Sequence, residues 1–241
     1  MVIGIIIQAR MGSTRLPGKI MKDLGGREIL WRVVERCRKS NLANKVIIAT
    51  SNEKGDDAIY NFCLRNGIDV FRGSLDNVLE RYYECAKKYN LDVIVRITSD
   101  CPLIDPFIID QTIDLFLRSN VDYVSNCLQR IFPRGLDCEV FSFKALTQAH
   151  KNAATNDERE HVTMYIVKHC STAPYFVPKE YEGNFRLTVD EEDDYRLLKL
   201  IYDKFKTSDG IIDVKDVIKF LKQYPDIASI NTHIEQKKSI G

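Results

Sequence analysis

The sequence predicts an α/β fold, a three-layer α/β/α sandwich around a doubly wound, mostly parallel sheet. Two observations predict it. Five short runs, "VIGIII" (2–7), "KVIIAT" (45–50), "IDVF" (68–71), "DVIVRI" (92–97) and "VDYVS" (121–125), are continuously rather than alternately apolar, as strands buried on both faces are. Between them apolar residues recur at three and four, the spacing of an amphipathic helix. Leu75, Val78, Leu79, Tyr82, Ala86 and Tyr89 form one such stripe, and Ile108, Ile109, Thr112, Ile113 and Phe116 form another. Asp105 and Pro106 supply an N-cap and a first helical residue for the second of these.

Beyond residue 125 the pattern is less regular. It predicts a strand at 137–142, helices near 143–168 and 191–206, and strands near 173–177 and 185–189. A last helix is expected on Val214, Val217, Ile218 and Leu221, and the tail after Tyr224 reads as an exposed end. The composition sets further bounds. Lysine and arginine number 35 against 34 acidic residues, a net charge of +1, so no bulk charge calls for nucleic acid or an anionic membrane. The apolar run at 2–7 has no basic leader and stops at Gln8, which fits neither a signal peptide nor a membrane span. Seven cysteines without a C-x-x-C pair argue against a zinc or disulfide framework and for a reducing cytoplasm.

In an open parallel sheet, ligands bind beyond the carboxyl ends of the strands, where the crossover direction switches. Three polar segments fall there: "QARMGSTRLPGK" (8–19), "RGSLDN" (72–77) and "TSDCPL" (98–103). The first is not a Walker A loop, because five residues separate Gly12 from Gly18 and Ile20 follows Lys19. It is not a G-x-G-x-x-G turn either, since Thr14 stands two after Gly12. Arg10, Arg15 and Lys19 offer cations and Gly12-Ser13-Thr14 offer backbone amides to a triphosphate. The alternative is a solvated turn with Pro17-Gly18 in a type II corner.

Asp100 follows a buried strand and suits a magnesium ion, which takes one or two carboxylates plus phosphate oxygens. Stabilising its own turn is the alternative. Asp190, in "RLTVDEEDD", precedes an acidic first turn, so it reads either as a helix cap or as a second metal ligand across from Asp100. Arg130 and Arg134 lie in "RIFPRGLDCEV", and Arg159, Glu160 and His161 in "DEREHVT". His161 and His169 lack H-E-x-x-H spacing, which leaves a catalytic zinc without support.

Taken together, "QARMGSTRLPGK", "RGSLDNVLERY", "RITSDCPLIDP", "PRGLDCEVFS", "REHVT" and "RLTVDEEDD" resemble the cytidylyltransferases that activate sugar acids, the acylneuraminate and 3-deoxy-manno-octulosonate (Kdo) group. The combination is most similar to the spore-coat polysaccharide biosynthesis branch, over about residues 1–206. The resemblance implies a Rossmann-like fold of the nucleotide-diphospho-sugar transferase type. It implies a magnesium-dependent cytoplasmic enzyme, a homodimer, that joins CMP from CTP to an acidic sugar and releases pyrophosphate. One domain is expected, with a nucleotide-binding half at 1–125, an acceptor-binding elaboration at 126–206, and a C-terminal helix and tail at 207–241.

By the same resemblance Ala9, Arg10, Gly12, Ser13, Arg15, Lys19, Arg72 and Ser74 would bind the nucleotide, with Lys19, Arg15 and Asp100 as its catalytic groups. Asp100 and Asp190 would hold the metal, and Arg134, Asp137, Glu139, Arg159 and His161 would face the acceptor. The sequence departs from the resembled pattern at three places, one being the acceptor loop with "PRGLD" (133–137), which differs from both the sialate and the Kdo patterns. Gln8 stands where the opening usually has proline, and Thr98-Ser99 stand where Kdo-type relatives carry Gln-Gly. Two other readings stay open: a glycosyltransferase using a nucleotide sugar, whose Asp-x-Asp motif has only "DCE" (137–139) to match it, and a non-catalytic sugar-nucleotide binder.

Overall fold

A computed structural model describes residues 1–205 and 211–236. Seven strands form one sheet: β1 (Ile3–Gln8), β2 (Lys45–Ser51), β3 (Asp69–Gly73), β4 (Val93–Thr98), β5 (Tyr123–Ser125), β6 (Glu139–Ser142) and β7 (Thr172–Pro174). Their order is β3-β2-β1-β4-β6-β5-β7. Every pairing is parallel except those of β6, which runs antiparallel to β4 and β5. The continuous apolar runs are explained by burial on both faces: residues 3–7 of β1 are all buried.

The helices are α1 (Ile29–Cys37), α2 (Asp57–Arg65), α3 (Val78–Lys88), α4 (Pro106–Arg118), α5 (Phe143–Asn152), α6 (Asn156–Glu160), α7 (Met164–His169), α8 (Glu192–Lys204), α9 (Val214–Gln223) and α10 (Pro225–Ala228). One apolar layer joins the sheet to α1, α2, α4, α8 and α9. A second joins it to α3, α5 and α7. Asp105 caps α4 by accepting from Phe107 N at 2.8 Å, with Pro106 in the first turn, as the sequence predicts. All seven cysteines are unpaired, and no described helix is long and apolar enough to cross a membrane.

Three expectations need correction. The helix expected near 143–168 is three, because Thr155 and Glu158 form a capping box that starts α6 afresh and Val162, at φ 37°, separates α6 from α7. The strand expected at 185–189 is reduced to one isolated bridge between Arg134 and Arg186. There Arg134 N donates to Phe185 O at 3.0 Å and Leu187 N to Arg134 O at 2.7 Å, after which the chain turns to the Asp100 loop, with Val189 N on Asp100 O at 2.8 Å. Gly135 makes that approach possible: at φ +99° it sits where an added Cβ would lie 2.4 Å from Leu187 O. Nor is the tail simply an exposed end, for Asn231 is buried and Gln236 accepts a hydrogen bond from Arg186. Of the regions expected at 191–206 and 207–241, residues 206–210 and 237–241 lie outside the described residues.

Candidate active site

β1 has β2 on one side and β4 on the other, so the crossover direction switches beside it and a cleft opens at the ends of β1 and β4. The loop after β1 is tied down at its start, where Met11 N donates to Asp56 Oδ1 at 2.7 Å and the Ser51 hydroxyl holds Asp56 Oδ2 at 2.5 Å. Ser13 N and Gly18 N both donate to Met11 O, at 2.8 and 3.2 Å. Gly18 takes the left-handed conformation at φ 65°, and Lys19 N closes the turn on Leu16 O at 3.2 Å. Among the described residues, the amides of Gly12, Thr14 and Arg15 meet no protein acceptor, which leaves three donors on one short loop.

The turn delivers Lys19 into the cleft. Its Nζ donates to Asp100 Oδ2 at 2.7 Å, Asp190 Oδ1 at 2.9 Å and Val189 O at 2.6 Å. Burial by itself lowers the Lys19 pKa, but the two carboxylates outweigh it, so the ammonium is held above its ordinary value and stays charged. Arg15 reaches the same carboxylate, 3.1 Å from Asp190 Oδ1, and pairs with Glu191 at 3.0 Å. Lys19 and Arg15 therefore face carboxylates rather than water, whereas Arg10 is exposed.

Asp190 is not a helix cap. Glu191 caps α8 in a capping box with Asp194, which leaves the Asp190 carboxylate to Lys19, Arg15 and Arg186. Arg186 holds it at 2.5 Å and lies 2.8 Å from the fully buried Asp194. Asp194 also accepts from Asp190 N at 2.9 Å and Asn231 Nδ2 at 2.8 Å. Burial raises the Asp190 pKa, yet Lys19, Arg15 and Arg186 more than reverse this and keep it ionised below the usual carboxylate range.

Asp100 and Asp190 both line the cleft and stand close enough for one ammonium, Lys19 Nζ, to bond an oxygen of each. This donor set fits magnesium, which needs few protein carboxylates when phosphates complete its shell. Among the described residues no cluster of three or more histidine, cysteine or acidic side chains converges, as an all-protein zinc site would require.

The opposite wall is built on Arg96 of β4. Its Nε donates to Gln8 Oε1 at 3.1 Å and its NH1 pairs with Glu139 of β6. Glu139 also accepts from Tyr123 and Thr163, each at 2.7 Å. Burial would raise the Glu139 pKa, but Arg96 and the two hydroxyls leave it lowered.

The cleft, about 250 Å³, brings together Ala9, Arg10, Ser13, Arg15, Lys19, Asp100, Asp190 and His161 of the residues singled out in the sequence. The others lie elsewhere. Arg72 turns away onto Ser51 O, Glu53 O and Asp57, at 2.7 to 2.9 Å, because α2 lies beside its strand. Ser74 accepts from Asn77 N at the entry to α3, and Gly12 forms the loop without lining the cleft. Arg159 reaches Ala153 O, and Arg134 lines a separate groove with Arg130 and Lys222. Asp137 pairs with Arg130 at 2.6 Å and Glu139 is buried on Arg96, and neither carboxylate of "DCE" lines the cleft. Gln8, Arg81, Arg96 and Arg186 were not foreseen. The signal for Arg96 was its place as a lone cation inside "DVIVRI", a run otherwise fit for complete burial.

Comparison with known proteins gives the family. A protein-family model described as cytidylyltransferase matches residues 4–239. An uncharacterized protein of Methanocaldococcus jannaschii is 42% identical over 241 residues, 98% of this chain and 96% of that one. Spore coat polysaccharide biosynthesis protein SpsF of Bacillus subtilis is 35% identical over 93% of this chain and 95% of its own length. The solved structure of a cytidylyltransferase from Leptospira borgpetersenii superimposes with a TM-score of 0.89 at 38% identity, covering 98% of this chain and all of that one. A CMP:2-keto-3-deoxy-manno-octonic acid synthetase solved with CTP shares the fold, at a TM-score of 0.64 and 15% identity over 85% of this chain and 99% of that one. The non-catalytic reading gives way to these matches: the chain belongs to the cytidylyltransferase family and is a nucleotidyltransferase.

Proposed function

We propose that the protein transfers CMP from CTP to an acidic sugar, with magnesium held by Asp100 and Asp190, in the synthesis of a surface polysaccharide. The observation that carries this reading is the meeting of both carboxylates at Lys19 Nζ, beside a loop with three unengaged amides. Two names among the relatives support it: SpsF is a spore coat polysaccharide protein, and the Kdo-type synthetase was solved with CTP.

Attack of a sugar hydroxyl on the α-phosphorus forms one P–O bond, breaks the bond to the β-phosphate and sends the electron pair to pyrophosphate. Negative charge grows on the phosphate oxygens, so the site needs fixed cations more than a covalent nucleophile. Lys19 and Arg15, which line the cleft against Asp190, can supply those cations. Asp100 and Asp190 would hold the magnesium ion, which would supply Lewis-acid stabilisation to the phosphate oxygens. Glu160 and His161 line the cleft and can take the hydroxyl proton.

A thermal-shift panel with CTP, UTP, GTP and ATP, each with and without magnesium, tests the nucleotide and the metal together. A ligand at 100 times its dissociation constant adds about 2.7 kcal/mol, or roughly 5–10 °C for a chain of this size. A magnesium-dependent shift with CTP, followed by pyrophosphate release with one member of a sugar-acid panel, is the expected result. A flat response to CTP, or full pyrophosphate release by Asp100→Ala, would refute the proposal.

A further inference from the structure

The wall of the cleft away from the acidic pair gathers the N–H donors of Gln8, Arg10, Arg81 and Arg96. Gln8 and Thr98 are register partners at the ends of β1 and β4, and Arg96 stands one side-chain step back on the same face. All three line the cleft, as do Arg10, Val78 and Arg81. The orientation of the Gln8 amide is fixed by its neighbours. Its Oε1 accepts from Arg96 Nε at 3.1 Å and Tyr82 OH at 3.4 Å, which leaves the Nε2 donors for the cleft. Arg81 is only 3% exposed, and its Nε meets no acceptor. A buried donor left unpaired is unfavourable unless something that binds there answers it. The carboxylate behind this wall, Glu139, is already taken up by Arg96, Tyr123 and Thr163.

We infer that this wall reads the pyrimidine edge of the nucleotide and selects cytosine over uracil, with Gln8 as the specificity-determining residue and Arg96 positioning it. Cytosine presents acceptors at both O2 and N3. Uracil carries a hydrogen on N3, so a wall of N–H donors meets it with donor against donor. Val78 and Thr98 line the same cleft and add apolar surface beside these donors. The wall also begins at Gln8, the residue from which the phosphate-facing loop departs, so a base at this end stays within reach of phosphates at the other. A sugar carboxylate would suit the same donors, and its presence there with the base elsewhere is the outcome that refutes the assignment. This inference rests on the CTP reading above.

The test is the ratio of CTP to UTP affinity, measured with magnesium by calorimetry for the wild type, Gln8→Glu and Arg96→Lys. Gln8→Glu turns the cleft-facing donor into an acceptor and keeps an oxygen for Arg96, while Arg96→Lys keeps a cation for Glu139 and loses the bond to Gln8. The wild type should favour CTP, and both variants should lower that preference by roughly tenfold or more, the value of one well-placed base contact. Wild-type affinity equal for CTP and UTP overturns this inference alone, whereas wild type that binds neither removes the CTP reading beneath it. An unchanged ratio in folded variants also overturns it, including the case in which only acceptor use is weakened. Should the variants fail to fold, a crystal structure of the wild type with CTP decides: O2 or N3 on Gln8 Nε2 supports the assignment, and a base elsewhere refutes it.

Discussion

Asp194→Ala removes a carboxylate that never faces the cleft, so its effect isolates the scaffold under Asp190. Asp194 is fully buried and receives Arg186 Nε at 2.8 Å, Asn231 Nδ2 at 2.8 Å, and the amides of Asp190 and Glu191 at 2.9 and 3.1 Å. Removing one partner of a buried ion pair costs about 3–5 kcal/mol. Arg186 keeps Asp190 at 2.5 Å, which recovers part of this, while two amides and Asn231 lose their acceptor. A loss of about 3 kcal/mol is therefore expected, near the lower end of that range. At about 2–4 °C per kcal/mol the melting temperature should fall by roughly 6–12 °C. Urea unfolding monitored by circular dichroism gives the free energy, and Asp194→Asn, which keeps one oxygen, should lose less. A loss below about 1 kcal/mol for the alanine variant would mean that Arg186 and the α8 amides find other partners, and that Asp190 is not held from beneath as argued here.

Other consequences are open to measurement. Lys19→Ala should lower CTP-dependent pyrophosphate release by at least roughly 100-fold, the scale of losing one transition-state donor, in an assay with an established acceptor. Arg72→Ala should change CTP affinity by less than about threefold, because that side chain is engaged with Ser51, Glu53 and Asp57 and supplies only a surface ion pair; a large loss by calorimetry would return Arg72 to the nucleotide. Gly135→Ala places a Cβ against Leu187 O at φ +99° and should cost at least about 2 kcal/mol in thermal unfolding. The lowered pKa of Glu139 gives a stabilisation present above the ordinary carboxylate range and lost as pH falls through the lower folded value. Urea midpoints from pH 6 downward should therefore fall less steeply for Glu139→Gln than for the wild type.

The cations of residues 10–19, Asp100 and His161 were legible as cleft residues because they stand at the ends of recognisable strands or within quoted motifs. Their partnerships were not. The bonds from Lys19 to Asp100 and Asp190 span 81 and 171 residues, beyond the reach of any periodicity or cap. Glu139 looked like an acceptor contact, yet β6 enters the sheet antiparallel beside β4 and sets its carboxylate against Arg96. Arg72 looked like a nucleotide contact, yet the loop before α2 and the first residue of that helix take up its donors.

By itself the sequence determined the alternation of strands and helices, the place of the cation-bearing loop after β1 and the pair of aspartates. Burial on both faces demands continuous apolar strands, and amphipathic helices demand spacings of three and four. Only the tertiary structure decided which acidic residue caps α8 and which faces the cleft: Glu191 and Asp194 take the cap, and Asp190 is free for Lys19. It also decided that residues 231–236 brace Arg186. Local patterns act over a turn or a strand, whereas these pairings depend on sheet order and on where each chain segment is carried when the core closes.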